Sequence, residues 1–137
     1  MPLSTHVYGI DTSVFVRLLT GHPETDFQKT TAALKKLCAE EPSTELVVSN
    51  QVIGEAYIAL QLHYSIDKAD ARAAVLELFS GGFISPLNGR RVIEILSTQG
   101  GAGLMDRLIA DDYQNHGLKV LTNDKRMAKL SRIRLLG

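Results

Sequence analysis

The chain has no tryptophan, only one cysteine, and no excess of either charge. A single cysteine excludes a disulfide framework and a cluster of thiolate metal ligands. Because 15 Lys and Arg residues balance 15 Asp and Glu residues, net charge indicates neither a nucleic-acid nor a membrane partner. No apolar run approaches the roughly 18 residues of a membrane span, and the first residues lack a signal-peptide pattern. We therefore expect a cytoplasmic protein with no membrane segment.

Length and patterning predict a single domain over residues 1–137, since neither a repeat nor a linker interrupts the chain. Predicted strands lie at 6–10, 46–49, 83–85, 119–122 and 133–135. Predicted helices lie at about 14–19, 24–39, 51–64, 67–79, 88–97, 104–116 and 124–130, with Asn50 as the expected cap of the third. Strands that alternate with helices indicate an α/β fold with a mainly parallel sheet.

Four acidic residues stand beside or within apolar sequence: Asp11, Glu55, Asp106 and Asp124. Lone carboxylates in such surroundings are costly unless a positive charge meets them. Asp11 and Asp124 each come just after a predicted strand and before a helix. Ligands of parallel sheets bind beyond the carboxyl ends of the strands, so both residues are candidate metal ligands. Helix capping is the alternative for each of them.

Glu55 is the only charged residue from Val52 to Leu62. On a helical wheel its neighbours are Ile58, Ala59 and Leu62, so we expect Glu55 to point along an apolar face and not to open water. A buried structural ion pair is the alternative interpretation.

The helix predicted at 104–116 carries three acids. Asp106 falls among Ile109, Ala110 and Tyr113 on the wheel and is predicted to face inward. Asp111 falls on the polar side and is predicted to be a solvated surface charge. Asp112 is intermediate, so its participation as an outer ligand stays open.

Carboxylate oxygens favour hard cations, which indicates Mg²⁺ or Mn²⁺. The four histidines have no pair at ligand spacing, which argues against zinc. Carboxylate-bound Mg²⁺ usually completes its coordination with water and substrate phosphate, so phosphodiester hydrolysis is the favoured chemistry. The hydroxyls of Ser13 and Thr122 are placed to orient a carboxylate or a water, and ordinary capping explains them equally well.

Basic residues follow Asp124 closely: Lys125, Arg126, Lys129, Arg132 and Arg134. Three of them, at 125, 129 and 132, are predicted to share a helical face that would hold RNA phosphates by counterion release. A merely solvated C-terminal face is the alternative interpretation.

Other enzyme classes lack their motifs here. A phosphatase of the haloacid dehalogenase type needs a second Asp two residues after the first, where this chain has Ser13. Neither the phosphate-binding GxxxxGK[ST] nor the GxSxG of serine hydrolases occurs.

The acidic residues lie in segments that resemble the PIN-domain ribonucleases, especially the toxins of type II toxin–antitoxin pairs of the VapBC kind. The resemblance rests on Ile-Asp-Thr-Ser-Val-Phe-Val-Arg-Leu-Leu at 10–19, Glu55 in its apolar helix, Met-Asp-Arg-Leu-Ile-Ala at 105–110 and Leu-Thr-Asn-Asp-Lys-Arg at 121–126. It spans nearly the whole chain. One departure is Met127, where many members carry an aromatic residue.

The resemblance implies a three-layer α/β/α domain around a central, mainly parallel five-stranded sheet. It implies that Asp11, Glu55, Asp106 and Asp124 form a catalytic metal-binding quartet, with Asp11 and Asp106 as direct ligands. The activity implied is a metal-dependent endoribonuclease, often a homodimer, that a small antitoxin protein inhibits at the active site. A catalytically silent RNA- or protein-binding module and a housekeeping RNA-processing nuclease are the alternatives.

Overall fold

The computed structural model describes residues 6–137, within which five strands, six α-helices and one 3₁₀ helix form. The strands are β1 (Val7–Gly9), β2 (Glu45–Val48), β3 (Ile84–Pro86), β4 (Val120–Thr122) and β5 (Ile133–Leu135). The helices are α1 (Thr12–Thr20), α2 (Glu24–Glu40), α3 (Asn50–His63), α4 (Lys68–Ser80), α5 (Arg90–Ser97) and α6 (Leu104–Asn115). The 3₁₀ helix covers Met127–Lys129.

Two parallel sheets form within residues 6–137, with strand orders β1-β2-β3 and β4-β5. The parallel direction is confirmed, but the prediction of one five-stranded sheet is wrong. Each strand is only three or four residues long, so a ladder between β1 and β4 would contain few hydrogen bonds. All three residues of β1 are exposed, in keeping with its place at the edge of the first sheet.

Capping chemistry sets most helix boundaries near their predicted places. The Asp11 carboxylate accepts a hydrogen bond from the Val14 N–H and begins α1, and Gly21 ends it in the left-handed conformation with φ of 66°. The cap of α3 is Ser49, whose hydroxyl accepts from the Val52 N–H. The predicted cap, Asn50, is instead the first residue of the helix, which frees its side chain for tertiary contacts.

The prediction of a helix at 124–130 is wrong, since the structure has only the 3₁₀ helix in this segment. Asp124 Oδ1 accepts hydrogen bonds from the N–H groups of Arg126 and Met127, at 2.8 and 3.1 Å. Such a local side-chain turn competes with a regular helix start. As a result Lys125, Lys129 and Arg132 do not share one helical face.

The main core lies among the first sheet and the helices that cover it. Phe15 of α1 is fully buried and stacks on Phe79 of α4 with ring centroids 5.9 Å apart. A smaller core beside the second sheet joins Ala110, Val120 and Met127. Within residues 6–137, no helix combines the length and apolarity needed to cross a bilayer.

Helices α3 and α6 pack against each other in opposite directions. Asn50, at the start of α3, donates a hydrogen bond to the Leu108 carbonyl in the middle of α6. One turn further along α3, Gly54 meets Met105, which is near the start of α6. Because residue numbers rise along one helix and fall along the other, the pair is antiparallel.

Candidate functional site

Asp11 lies just beyond the carboxyl end of β1, and the helix-capping interpretation of this residue is confirmed, since it caps α1. Its Oδ1 accepts hydrogen bonds from the Ser13 hydroxyl at 2.7 Å and the Val14 N–H at 3.0 Å. These two hydrogen bonds, the Ser13 one foremost, hold the pKa of the Asp11 carboxyl below its ordinary value. Both donors use the same oxygen, and Asp11 is exposed, so Oδ2 is placed to meet a ligand from solvent.

Glu55 is exposed, which corrects the prediction that it points away from open water. The buried side of α3 carries Ile53, Gly54, Ala56, Tyr57 and Leu60 instead. The apolar residues beside Glu55 are themselves exposed: Ile58 by 41% and Leu62 by 73%. Since α3 is apolar on nearly every side, its sequence alone does not distinguish the buried face from the open one.

A hydrogen bond ties Glu55 to the neighbourhood of Asp11. The Thr12 hydroxyl donates to Glu55 Oε1 at 2.5 Å, across 43 residues of sequence. Gln51, one turn earlier in α3, donates more weakly to Oε2 at 3.4 Å. The carboxylate of Glu55 therefore stands beside the first turn of α1, at the residue that follows Asp11.

Asp106 is half-buried near the start of α6. It follows Met105, the residue that meets Gly54, just as Glu55 follows Gly54. Each residue of an α-helix is rotated by about 100° from the one before it. In two antiparallel helices, the residues that follow the two contact residues therefore point to the same side of the pair. Helix geometry thus directs Glu55 and Asp106 to one side of the α3–α6 pair.

Asp111, not Asp106, is the acid that α6 buries, and the prediction of a solvated Asp111 is wrong. It is 4% exposed. Its Oδ2 accepts from the side-chain amides of Asn50 at 2.9 Å and Asn88 at 3.0 Å, while Arg91 reaches Oδ1 at 3.3 Å. A buried carboxylate is tolerated because these three donors satisfy it. The sequence signal was Asn50, a polar residue beside a buried strand.

The sequence leaves open whether Asp112 is an outer ligand, and in the structure this residue is exposed. Its Oδ1 accepts a hydrogen bond from the Asn88 amide at 2.8 Å. The same Asn88 amide donates to Asp111. Asp112 therefore lies at the edge of the buried network that Asp111 forms with Asn50, Asn88 and Arg91. This contact associates Asp112 with that network.

Asp124 follows β4, in the second sheet, and its carboxylate is engaged by its own loop. Thr122 Oγ1 accepts a hydrogen bond from the Asp124 N–H at 3.0 Å, so it touches the backbone of Asp124 and not the carboxylate. Ser13, by contrast, does contact the carboxylate it was predicted to orient. Of the two predicted hydroxyls, the structure places one against a site carboxylate.

The four predicted acids are linked only in part. Thr12 joins the Asp11 segment to Glu55, and the contact of Gly54 with Met105 turns Glu55 and Asp106 to one side of the α3–α6 pair. Across residues 6–137, no three metal-ligating side chains stand close enough together to enclose an ion.

The donor chemistry nevertheless fits a hard cation. Ion pairs in the described part of the chain are His6–Glu41, Arg17–Asp26 and Arg91–Asp111, none of which uses one of the four acids. Carboxylates whose charge no Lys or Arg neutralises are the oxygen donors that Mg²⁺ and Mn²⁺ prefer. Asp11 and Asp106 would be the direct ligands of such an ion, whereas Asp124 follows the second sheet and its carboxylate is held by its own loop.

The basic residues after Asp124 are all exposed: Lys125, Arg126, Lys129, Arg132 and Arg134. We call them the basic strip. Although they do not form a helical face, they follow a candidate site residue directly in the chain. Exposed Lys and Arg side chains attract phosphates without reading sequence.

The chain belongs to the PIN domain family, whose profile matches residues 8–133. PIN domains are typically nucleases that use divalent metal ions. A comparison with curated proteins gave no match, and neither did a comparison with solved structures. The family match therefore defines a class of protein, and this chain's substrate and partners have to be argued from its own residues.

Proposed function

We propose that the protein is a Mg²⁺- or Mn²⁺-dependent endoribonuclease whose metal site is the quartet of Asp11, Glu55, Asp106 and Asp124. The observation that carries the proposal is the hydrogen bond from Thr12 to Glu55. It ties Glu55 of α3 to the residue that follows Asp11, at the carboxyl end of the parallel strand β1. Membership of the PIN family supports the same activity.

A bound divalent ion supplies Lewis acidity, which makes water more nucleophilic and offsets charge on the phosphate. Asp11 and Asp106 would hold the ion, while Glu55 and Asp124 would add negative charge and accept the proton that the attacking water loses. Water attacks phosphorus and the 3′ oxygen leaves with a proton, giving a 5′-phosphate and a 3′-hydroxyl. No side chain is needed as a covalent nucleophile.

The basic strip supplies phosphate contacts on one flank of this site. Lys125, Arg126 and Lys129 are exposed and follow Asp124 directly, so an RNA strand at the acids can pass over them. The chain has no tryptophan, and aromatic residues are 6% of it, so extensive base stacking is not expected. Backbone contacts of this kind give affinity without a sequence preference.

We propose further that this nuclease is a cytoplasmic toxin of a toxin–antitoxin pair and acts as a homodimer. Four exposed apolar side chains support a dimer: Ile58 and Leu62 on α3, and Ile109 and Tyr113 on α6. Each pair continues the helix face that begins at Glu55 or at Asp106. A short reading frame beside the gene, encoding a small antitoxin, would separate this role from housekeeping RNA processing.

Cleavage of single-stranded RNA by the purified protein tests the activity. We expect cleavage with Mn²⁺ or Mg²⁺, none with EDTA, and a rate at least about 100-fold lower in Asp11→Asn, because a lost ligand removes several kcal/mol of stabilisation. Asp70→Asn, at an exposed acid of α4, is the matched control and should retain full activity. Cleavage that survives EDTA, or equal rates in the two variants, would refute the proposal.

A catalytically silent RNA-binding module is the second candidate. It is favoured by the lack, within residues 6–137, of a closed group of three metal ligands. The same experiment separates the two functions, because a silent module would retain RNA and leave it intact at every Mn²⁺ concentration.

A further inference from the structure

Thr12 lies where two parts of the candidate site meet. It is the first residue of α1 and the neighbour of Asp11, and its hydroxyl donates to Glu55 Oε1 at 2.5 Å. The other donor to this carboxylate, Gln51, comes from α3 itself and is 3.4 Å from Oε2. Thr12 is therefore the residue that fixes Glu55 relative to Asp11.

The position of Thr12 is itself well held. Asp11 caps the helix start through Val14, and the Phe15 N–H donates to the Asp11 carbonyl. Phe15 is fully buried and anchors this first turn in the core. A threonine side chain also has a restricted χ1, so its hydroxyl is a stiff reference point.

Glu55 needs such a reference because its own side chain is flexible and exposed. A glutamate has three rotatable bonds, and ordering it costs conformational entropy. A hydroxyl bound to Oε1 meets part of that cost before an ion binds and leaves Oε2 with only the longer contact from Gln51. Outer hydrogen bonds of this kind commonly set the orientation of metal-binding carboxylates.

We propose that Thr12 is a positioning residue of the metal site, acting through Glu55. The inference rests on the proposed function, since it assumes that Glu55 takes part in binding a divalent ion. A purely structural role for Thr12 at the start of α1 is the competing explanation. The two differ in whether the effect of Thr12 on metal binding depends on Glu55.

Mn²⁺ binding to the RNA-free protein, followed by electron paramagnetic resonance, tests this directly. Thr12→Val removes the hydroxyl and keeps the shape, and should weaken Mn²⁺ binding about 10-fold, the lower end of outer-ligand effects. Thr12→Ser keeps the hydroxyl and should bind within about twofold of the wild type. Thermal unfolding of each variant establishes that the comparison is between folded proteins.

The decisive step is a double-variant cycle with Glu55→Gln. If Thr12 acts through Glu55, then Thr12→Val has no further effect on Mn²⁺ binding once Glu55 is replaced. An equal loss in both backgrounds would overturn the proposal, as would wild-type affinity in Thr12→Val or the lack of Mn²⁺ binding by the wild type. Weakened binding that depends on Glu55, in a protein that cuts no RNA, would uphold the positioning role and refute only the nuclease proposal.

Discussion

Gly54 of α3 lies directly against the thioether of Met105 in α6. A Cβ added to Gly54 would stand 2.7 Å from Met105 Cε and 2.9 Å from its Sδ. The Met105 side chain thus packs on the α3 backbone at Gly54. The contact lies one residue before Glu55 on α3 and one residue before Asp106 on α6.

Gly54→Val should therefore lower the free energy of unfolding by about 1 kcal/mol, the low end of the cost of overpacking, because the crowding atoms are the flexible end of the Met105 side chain. Met105→Ala should partly relieve the loss in the double variant, because the space it vacates admits the added methyl groups. Urea unfolding measures both effects. The control is Gly81→Val, since a Cβ there meets nothing nearer than 3.5 Å. Equal losses at the two glycines would contradict the close-packing argument.

The order of the elements could be predicted from this sequence, because apolar periods and capping residues act locally. The helices predicted at 14–19 and 67–79 form as Thr12–Thr20 and Lys68–Ser80. The split into two sheets could not be predicted, because pairing between strands three residues long depends on small displacements of whole elements.

Within the candidate site, the neighbourhood of Asp11 was predictable and the environment of the helical acids was not. Helix α6 buries Asp111, and three partners distant in sequence make that possible: Asn50, Asn88 and Arg91. A helical wheel carries no information about such partners. The same limit applies to Glu55, because its apolar neighbours Ile58 and Leu62 are themselves exposed in the structure.

Asp111→Ala should destabilise the fold by about 2–3 kcal/mol, the cost of losing hydrogen bonds to a charged group. It leaves the buried Asn50 amide without one of its acceptors, and Arg91 without its ion-pair partner. Asp112→Ala is the control and should cost less than about 1 kcal/mol, because that residue is exposed. Chemical unfolding gives both values. A smaller loss at 111 than at 112 would mean that the network does not stabilise the fold.

The lowered pKa of Asp11 predicts a pH dependence in the metal-free protein. Because the folded pKa lies below the unfolded one, the ionised carboxylate stabilises the fold above the unfolded value, and this stabilisation is lost as pH falls through the folded value. Ser13→Ala removes the largest cause of the shift and should raise the Asp11 pKa toward its ordinary value. Carboxyl carbon shifts followed by NMR measure it.

Ser97→Ala is the matched control for that titration. The Ser97 hydroxyl donates to the Ile93 carbonyl within α5, which is not the helix that Asp11 caps. It should leave the Asp11 titration unchanged. An Asp11 pKa that is the same in Ser13→Ala as in the wild type would show that the hydroxyl does not support the ionised form.

The basic strip should determine how RNA binding responds to salt. Replacing Lys125 and Lys129 by Ala should reduce the slope of log affinity against log salt by about 1.4, at about 0.7 for each lost phosphate contact with a single strand. Lys35 and Lys36 of α2 are also exposed, and the same double replacement there should leave the slope unchanged. Fluorescence anisotropy with EDTA present measures binding without cleavage. Equal slopes in the two variants would place the RNA elsewhere.

The location of a bound ion tests the central claim most directly. Crystals of the protein soaked in Mn²⁺ should show an anomalous peak about 2.0–2.3 Å from carboxylate oxygens of Asp11 and Asp106, with Glu55 and Asp124 close by. A Mn²⁺ peak beside the buried Asp111 would contradict the account. So would crystals in which Mn²⁺ is bound at full occupancy elsewhere and no peak lies near Asp11.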